Sequence, residues 1–292
     1  MVDQGFLSDE NRMSVSTAPD MTSTSSGQAH FDLEAYLARI GYTGDLQPTY
    51  GTLEGLHLAH ATHIPFENLD IFLKRPIRLD LESLLAKLVH GGRGGYCFEQ
   101  NLLLLAVLQK LGFSVTALAA RVRYRAQRIL PRTHMLLLVQ VDGGRWIADV
   151  GFGGEGLLLP IPFGSRQTTR QFIWTYRVIE EAGQWVIQSL RNEAWVDLYA
   201  FTLEPQLLAD YEMANYYTST HPDSRFVQTL TVQLPTPKER TAVINRELIS
   251  DRGDTVTSRI IPDDEALLVV LAERFGLRLP PGTRFHSPGS GS

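Results

Sequence analysis

The spacing of apolar residues changes once along this chain, and that change limits the fold more than any other feature. As far as Phe113 the apolar positions recur at helical intervals. Asp32 is placed to cap LEAYLARIGY, with Gly41 near its end. Thr52 is placed to cap LEGLHLAHATH, which must stop before Pro65. Asp80 is placed to cap LESLLAKLVH, which stops at Gly91-Gly92. After a glycine-rich turn comes CFEQNLLLLAVLQKLGF, whose length and scarcity of β-branched residues predict a buried helix. Beyond it SVTALAARV, THMLLLVQV, RWIADVGF, QFIWTYRVI, QWVIQSL, FVQTLTVQL and TAVINREL are strand-like. Turn residues separate them, the pattern of an antiparallel sheet or barrel. EPQLLADYEMANYYTS and DDEALLVVLAERFGL return to helical spacing. The sequence thus predicts an α+β chain with a helical first third, a β middle and a mixed C-terminal part.

Residues 1–30 are rich in Ser, Thr, Asp and Gln and lack the basic start and apolar centre of a signal peptide. They are expected to be a disordered lead-in, and residues 278–292 a disordered tail. With 292 residues, 43% of them hydrophobic, the chain can bury a core without staples. A net charge of -5 argues against nucleic acid as a partner. No apolar run reaches the ~18 residues that span a membrane. The single cysteine, Cys97, excludes an intrachain disulfide and a multi-cysteine zinc site, and a cytoplasmic location is expected.

Cys97 opens the predicted helix directly after Arg93-Gly94-Gly95-Tyr96. The first turn of a helix offers unpaired N–H groups and the positive end of the dipole. Both favour thiolate, the nucleophilic form. The bland alternative is a buried structural cysteine.

A nucleophile needs a base. Of the eight histidines, His57, His60 and His63 share one predicted helix with no carboxylate to complete a metal site; they are expected to form an interface or a partly exposed face. His134 differs. It begins the apolar run HMLLLVQV, where an unpartnered ring is costly. The next run holds an acid, Asp149, in the same way. Asp142-Gly143 between them is a two-residue hairpin signal. With that turn Val141 faces Gly144, and His134 and Asp149 are diagonal neighbours about 7–8 Å apart at the backbone. A turn at Gly143-Gly144 would put them out of easy reach. A structural His–Asp pair is the alternative; with the cysteine upstream, the order gives nucleophile, base and orienter. The run Gly151-Phe152-Gly153-Gly154-Glu155-Gly156 matches a dinucleotide fingerprint, but LLLPIPFG follows where a helix is required, so that reading is rejected.

RGGYC, THMLLLV and IADVGFGG, preceded by HIPFENLD, together resemble the arylamine N-acetyltransferase family, its bacterial members most closely. The resemblance runs from Phe31 to Leu277. It implies a helical bundle over 31–112 carrying the nucleophile, a central antiparallel β-barrel over 113–203 carrying His and Asp, and a C-terminal α/β lid over 204–277. It implies a papain-like triad of Cys97, His134 and Asp149, with acetyl-CoA as cosubstrate and neither metal nor prosthetic group. Cys97 would take the acetyl group and pass it to an aromatic amine or hydrazine. Phe152 matches the family's aromatic-substrate position, with Phe66, Phe98, Gly151 and Gly153 expected around it. Arg93 with Glu67 and Asn68 matches a supporting polar network. A monomer or homodimer is expected. Two other uses of the same triad are an amide synthase that cyclises an aromatic polyketide and a papain-like hydrolase. A non-catalytic binding protein is a third reading.

Overall fold

The structure is a computed structural model that describes residues 31–165 and 167–286; the expected lead-in lies outside them. The first third is helical. In α1 (Leu33–Ile40) the Asp32 carboxylate accepts the Ala35 N–H at 2.9 Å, and Gly41, at φ 66, ends the helix. Helix α2 (Tyr50–His63) starts earlier than the sequence suggested. Thr49 is its cap and accepts the Thr52 N–H at 3.2 Å, so Thr52 lies buried inside it. Then come β1 (Phe66–Glu67), α3 (Leu69–Phe72) and α4 (Leu81–Leu84), the last capped by Asp80. LESLLAKLVH does not stay α-helical: Leu85–His90 is a π-helix. Helix α5 (Cys97–Lys110) follows, with most of its residues buried.

The middle forms an eight-stranded, barrel-like antiparallel sheet. Its strands are β2 (Ser114–Val122), β3 (Arg132–Val141), β4 (Gly144–Ala148), β5 (Ile161–Pro162), β6 (Thr169–Gln171), β7 (Trp174–Glu181), β8 (Gln184–Arg191) and β9 (Ala194–Pro205), in the order β5-β4-β3-β2-β9-β8-β7-β6. QFIWTYRVI is two strands, because Phe172 at φ 59 turns the chain between β6 and β7.

The last part has α6 (Leu208–Thr220), α7 (Arg225–Gln228), β10 (Thr231–Pro235), β11 (Arg240–Ile244), β12 (Glu247–Asp251), β13 (Val256–Ile260) and α8 (Asp264–Phe275). FVQTLTVQL divides into α7 and β10, and TAVINREL into β11 and β12 around Asn245, at φ 53. The five strands order β1-β10-β11-β12-β13, so β1 stitches the helical third into the C-terminal sheet. One core is shared by the helices and the barrel-like sheet; a second lies under the C-terminal sheet. Residues 278–286 are not the loose tail expected: Leu279 and Phe285 pack on that second core, and the His286 N–H donates to the Phe72 carbonyl at 3.0 Å. Among the described residues no helix is long and apolar enough to cross a membrane.

Candidate active site

The glycine turn fixes where α5 begins. A Cβ on Gly94 would lie 2.0 Å from the Pro65 carbonyl oxygen, and one on Gly95 would lie 2.7 Å from the Glu99 carboxylate. Only glycine fits such approaches. Cys97 is therefore the first residue of α5, 3% exposed, and its Sγ donates to the Thr133 carbonyl of β3 at 3.5 Å.

The β3–β4 hairpin brings the other two groups. Asp142 and Gly143 form its turn at φ 51 and 72, Val141 pairs with Gly144, and Leu137 with Ala148. This is the register that the Asp-Gly signal predicts. The chain leaves the ladder after Ala148, and Asp149 Oδ2 accepts from His134 Nε2 at 2.7 Å. With Nε2 committed there, Nδ1 is the ring nitrogen that remains for Cys97. Burial alone would lower the His134 pKa, but Asp149 and Cys97 outweigh it and push it up to about 10. Burial likewise opposes ionisation of Asp149, yet His134, Asn101 and the Gly151 N–H hold its pKa below the usual carboxylate range. At neutral pH the pair is thus imidazolium and carboxylate, beside a sulfur at a helix start.

Several residues that support this geometry were not anticipated. Asn101 lies one turn after Cys97 on the same face of α5. Its Nδ2 donates to the Met135 carbonyl at 2.7 Å and to Asp149 Oδ1 at 3.0 Å, and its Oδ1 accepts the Val150 N–H at 3.1 Å. An amide four residues after the cysteine, on the same face of a leucine-rich helix, was the available signal. The expected exposed face of α2 is a correction: His57 and His60 are fully buried, and only His63 is exposed. His57 Nε2 accepts the Asp149 N–H at 3.0 Å and its Nδ1 donates to the Leu158 carbonyl at 3.0 Å. His60 bridges Tyr36 at 2.9 Å and Gln100 at 2.8 Å. Tyr199, on β9, packs 4.7 Å from the His134 ring. Among the described residues no cluster fit for a metal ion occurs.

Arg93 donates to Glu67 Oε1 from Nε at 2.9 Å and from Nη2 at 2.7 Å, and to Asp70 at 3.1 Å. Asn68 does not join that network. Its Nδ2 donates to the carbonyls of Phe226 and Thr229 at 2.8 and 2.9 Å, and its Oδ1 accepts the Thr231 N–H, so it ties β1 to the C-terminal part. Asp70 occupies the place expected for it.

The five expected substrate-side residues divide. The Phe152 ring stands edge-on to His134 at 5.2 Å and 5.1 Å from Tyr199. Phe66, Phe152 and Gly153, the last at φ +87, line a cavity of ≈ 10 Å³ beside Asp149. That is room for about one water molecule. Phe98 does not face it; it is buried between Tyr96 and Tyr211 at 5.6 and 5.9 Å. Gly151 gives its N–H to Asp149 at 2.9 Å, and a Cβ there would lie 2.7 Å from the Cys97 Cα. It lets the Asp149 loop press on α5 instead of lining a channel.

A thiol at a helix start and a buried, hydrogen-bonded imidazole–carboxylate pair, between a helix and a sheet, are groups suited to acyl transfer through sulfur. Comparison with known proteins gives the family. A family model described as N-acetyltransferase matches residues 49–283. The arylamine N-acetyltransferase of Escherichia coli (strain K12) is 41% identical over 248 residues, 84% of this chain and 88% of that protein. The Mycolicibacterium smegmatis enzyme of the same name is 41% identical over 257 residues, 85% of this chain and 92% of its own. The solved structure of Mycobacterium marinum arylamine N-acetyltransferase in complex with CoA is similar with a TM-score of 0.80 at 34% identity, covering 84% of this chain and 92% of that one. The chain belongs to the arylamine N-acetyltransferase family and is an acyltransferase of the bacterial type.

Proposed function

We propose that this chain transfers an acetyl group from acetyl-CoA to the nitrogen of aromatic amines and hydrazines, with acetyl-Cys97 as the intermediate. The observation that carries the reading is the buried His134–Asp149 pair, 2.7 Å apart, with Cys97 at the start of α5 acting on the same ring, in the fold of this family. The Cys97 thiolate attacks the thioester carbonyl, the carbon–sulfur bond to CoA breaks, and the departing CoA thiolate takes the His134 proton. The amine nitrogen then attacks acetyl-Cys97. His134 accepts the proton lost by the nitrogen, the sulfur leaves as thiolate, and the amide is released. Asp149 fixes the ring orientation and stabilises the imidazolium. Burial of Cys97 and His134, both 3% exposed, limits water and favours an amine over hydrolysis.

Incubation with acetyl-CoA alone should release one CoA per chain and add one acetyl group at Cys97, seen by mass spectrometry. Aniline should then discharge it as acetanilide. Steady release of free acetate without an amine would instead make the chain a hydrolase.

A further inference from the structure

The π-helix Leu85–His90 plays no part in the chemistry above. Such turns are rare and frequently sit at functional sites. Here the Gly91 N–H donates to the Ala86 carbonyl at 2.8 Å, and a Cβ on Gly91 would lie 2.8 Å from the carbonyl oxygens of Ala86 and Lys87. The turn delivers Lys87 Nζ to 2.7 Å from Asp70 Oδ2 and 2.7 Å from Glu99 Oε1. Glu99 is the third residue of α5, and its other oxygen accepts the Tyr96 N–H at 3.1 Å. Tyr96 immediately precedes the nucleophile. One side chain and one backbone hydrogen bond therefore join the ammonium to the start of the Cys97 helix.

A carboxylate in the first turn stabilises a helix. The Lys87 ammonium, 2.7 Å away, holds that carboxylate in place. Burial pushes the Glu99 pKa up to about 7 even with Lys87 beside it. Lys87 stays charged because Glu99, Glu67 and Asp70 outweigh the effect of its own burial. Of the other nearby cations, Arg93 is committed to Glu67 and Asp70, and Arg78 lines a cavity beside the cluster. That cavity, of ≈ 350 Å³, reaches Asp70, Lys87 and Glu99, which leaves the cluster open to proton exchange.

We propose that Lys87 is a positioning residue for the nucleophile: by holding Glu99 at the start of α5, it keeps the Tyr96 cap formed and so fixes the turn from which Cys97 projects. This rests on Cys97 being the acyl carrier.

The test compares wild type, Lys87→Met, Lys87→Arg and Lys87→Met/Glu99→Gln. It reads Cys97 alkylation by iodoacetamide from pH 6 to 8.5 and single-turnover acylation by acetyl-CoA. The amide oxygen introduced by Glu99→Gln would still accept the Tyr96 N–H. Relative to wild type, Lys87→Met should alkylate about tenfold more slowly across pH 6 to 8.5, because Glu99 loses the partner that holds it on the Tyr96 N–H. Lys87→Arg should keep the wild-type profile, and the double variant should recover most of the lost rate. If Lys87→Met does not fold, Lys87→Gln, which keeps a donor, takes its place. Lys87→Met matching wild type at both ends of the range, or a double variant as slow as the single, would overturn the proposal. Absence of acetyl-Cys97 in the wild type would instead sink the functional reading, while the alkylation profiles still report on Lys87.

Discussion

Phe152 is the residue whose role the geometry sharpens most. Three residues after Asp149 on an extended strand, its ring would point away from the triad. The chain instead leaves the ladder after Ala148 and turns at Gly153, and the ring stands against His134. A flat aromatic amine stacked there would gain about 0.5–1.5 kcal/mol beyond area burial. Phe152→Ser should therefore change the order of preference among para-substituted anilines several-fold while Cys97 acylation by acetyl-CoA keeps its rate. A proportional loss for all amines with a lower melting temperature would make Phe152 a packing residue only. At this scale, chemistry that depends on one residue type at one place was legible: a cysteine at a helix start, and a histidine and an acid each set in an apolar run. Contacts between distant segments were not. Asn68 next to Glu67 looks like its partner in a network, yet its amide reaches the α7 region more than a hundred residues away.

Among the elements, α2 departs furthest from expectation. Three histidines at steps of three suggested an interface or a partly exposed face, because the sequence names no partners for His57 and His60. The partners come from α1, α5 and the segment after β4. Burial lowers the His57 pKa to about 4 and that of His60 to about 3, against an ordinary 6.5. The sign follows: as pH falls below 6.5 the unfolded chain takes up protons that the folded chain refuses. Stability present above pH 6.5 is lost down to about pH 4 for His57 and about pH 3 for His60, on the order of 1 kcal/mol per pH unit for each ring. Glu99, with its pKa raised, contributes in the opposite sense between pH 4.5 and about 7, so the variant comparison isolates the histidine part. Urea unfolding of His57→Gln and wild type between pH 7 and 4 should show a shallower loss in the variant. Parallel curves would mean that His57 is charged in the folded state.

In the molecule as a whole, the hairpin register was readable because one Asp-Gly pair determines it, and with it the meeting of His134 and Asp149. The seams between regions were not. The two-residue β1 carries no strand pattern of its own; it becomes a strand only because β10 pairs with it, Phe66 with Gln233 and Glu67 with Val232. Strand β9, which carries Tyr199 to the His134 ring, was likewise missed, although Asn192 turns the chain just before it and Pro205 ends it. Helix α5 meets β3 directly, through Cys97 on the Thr133 carbonyl and Asn101 on the Met135 carbonyl. We propose that Cys97 is a reactive sulfur beside a protonated His134 held by Asp149. The most direct test of this claim is the rate of Cys97 alkylation by iodoacetamide at pH 6 in wild type, His134→Gln and Asp149→Asn. The wild type should label stoichiometrically and both variants about a hundredfold more slowly, with folding intact by circular dichroism. Variants that label as fast as the wild type would contradict it.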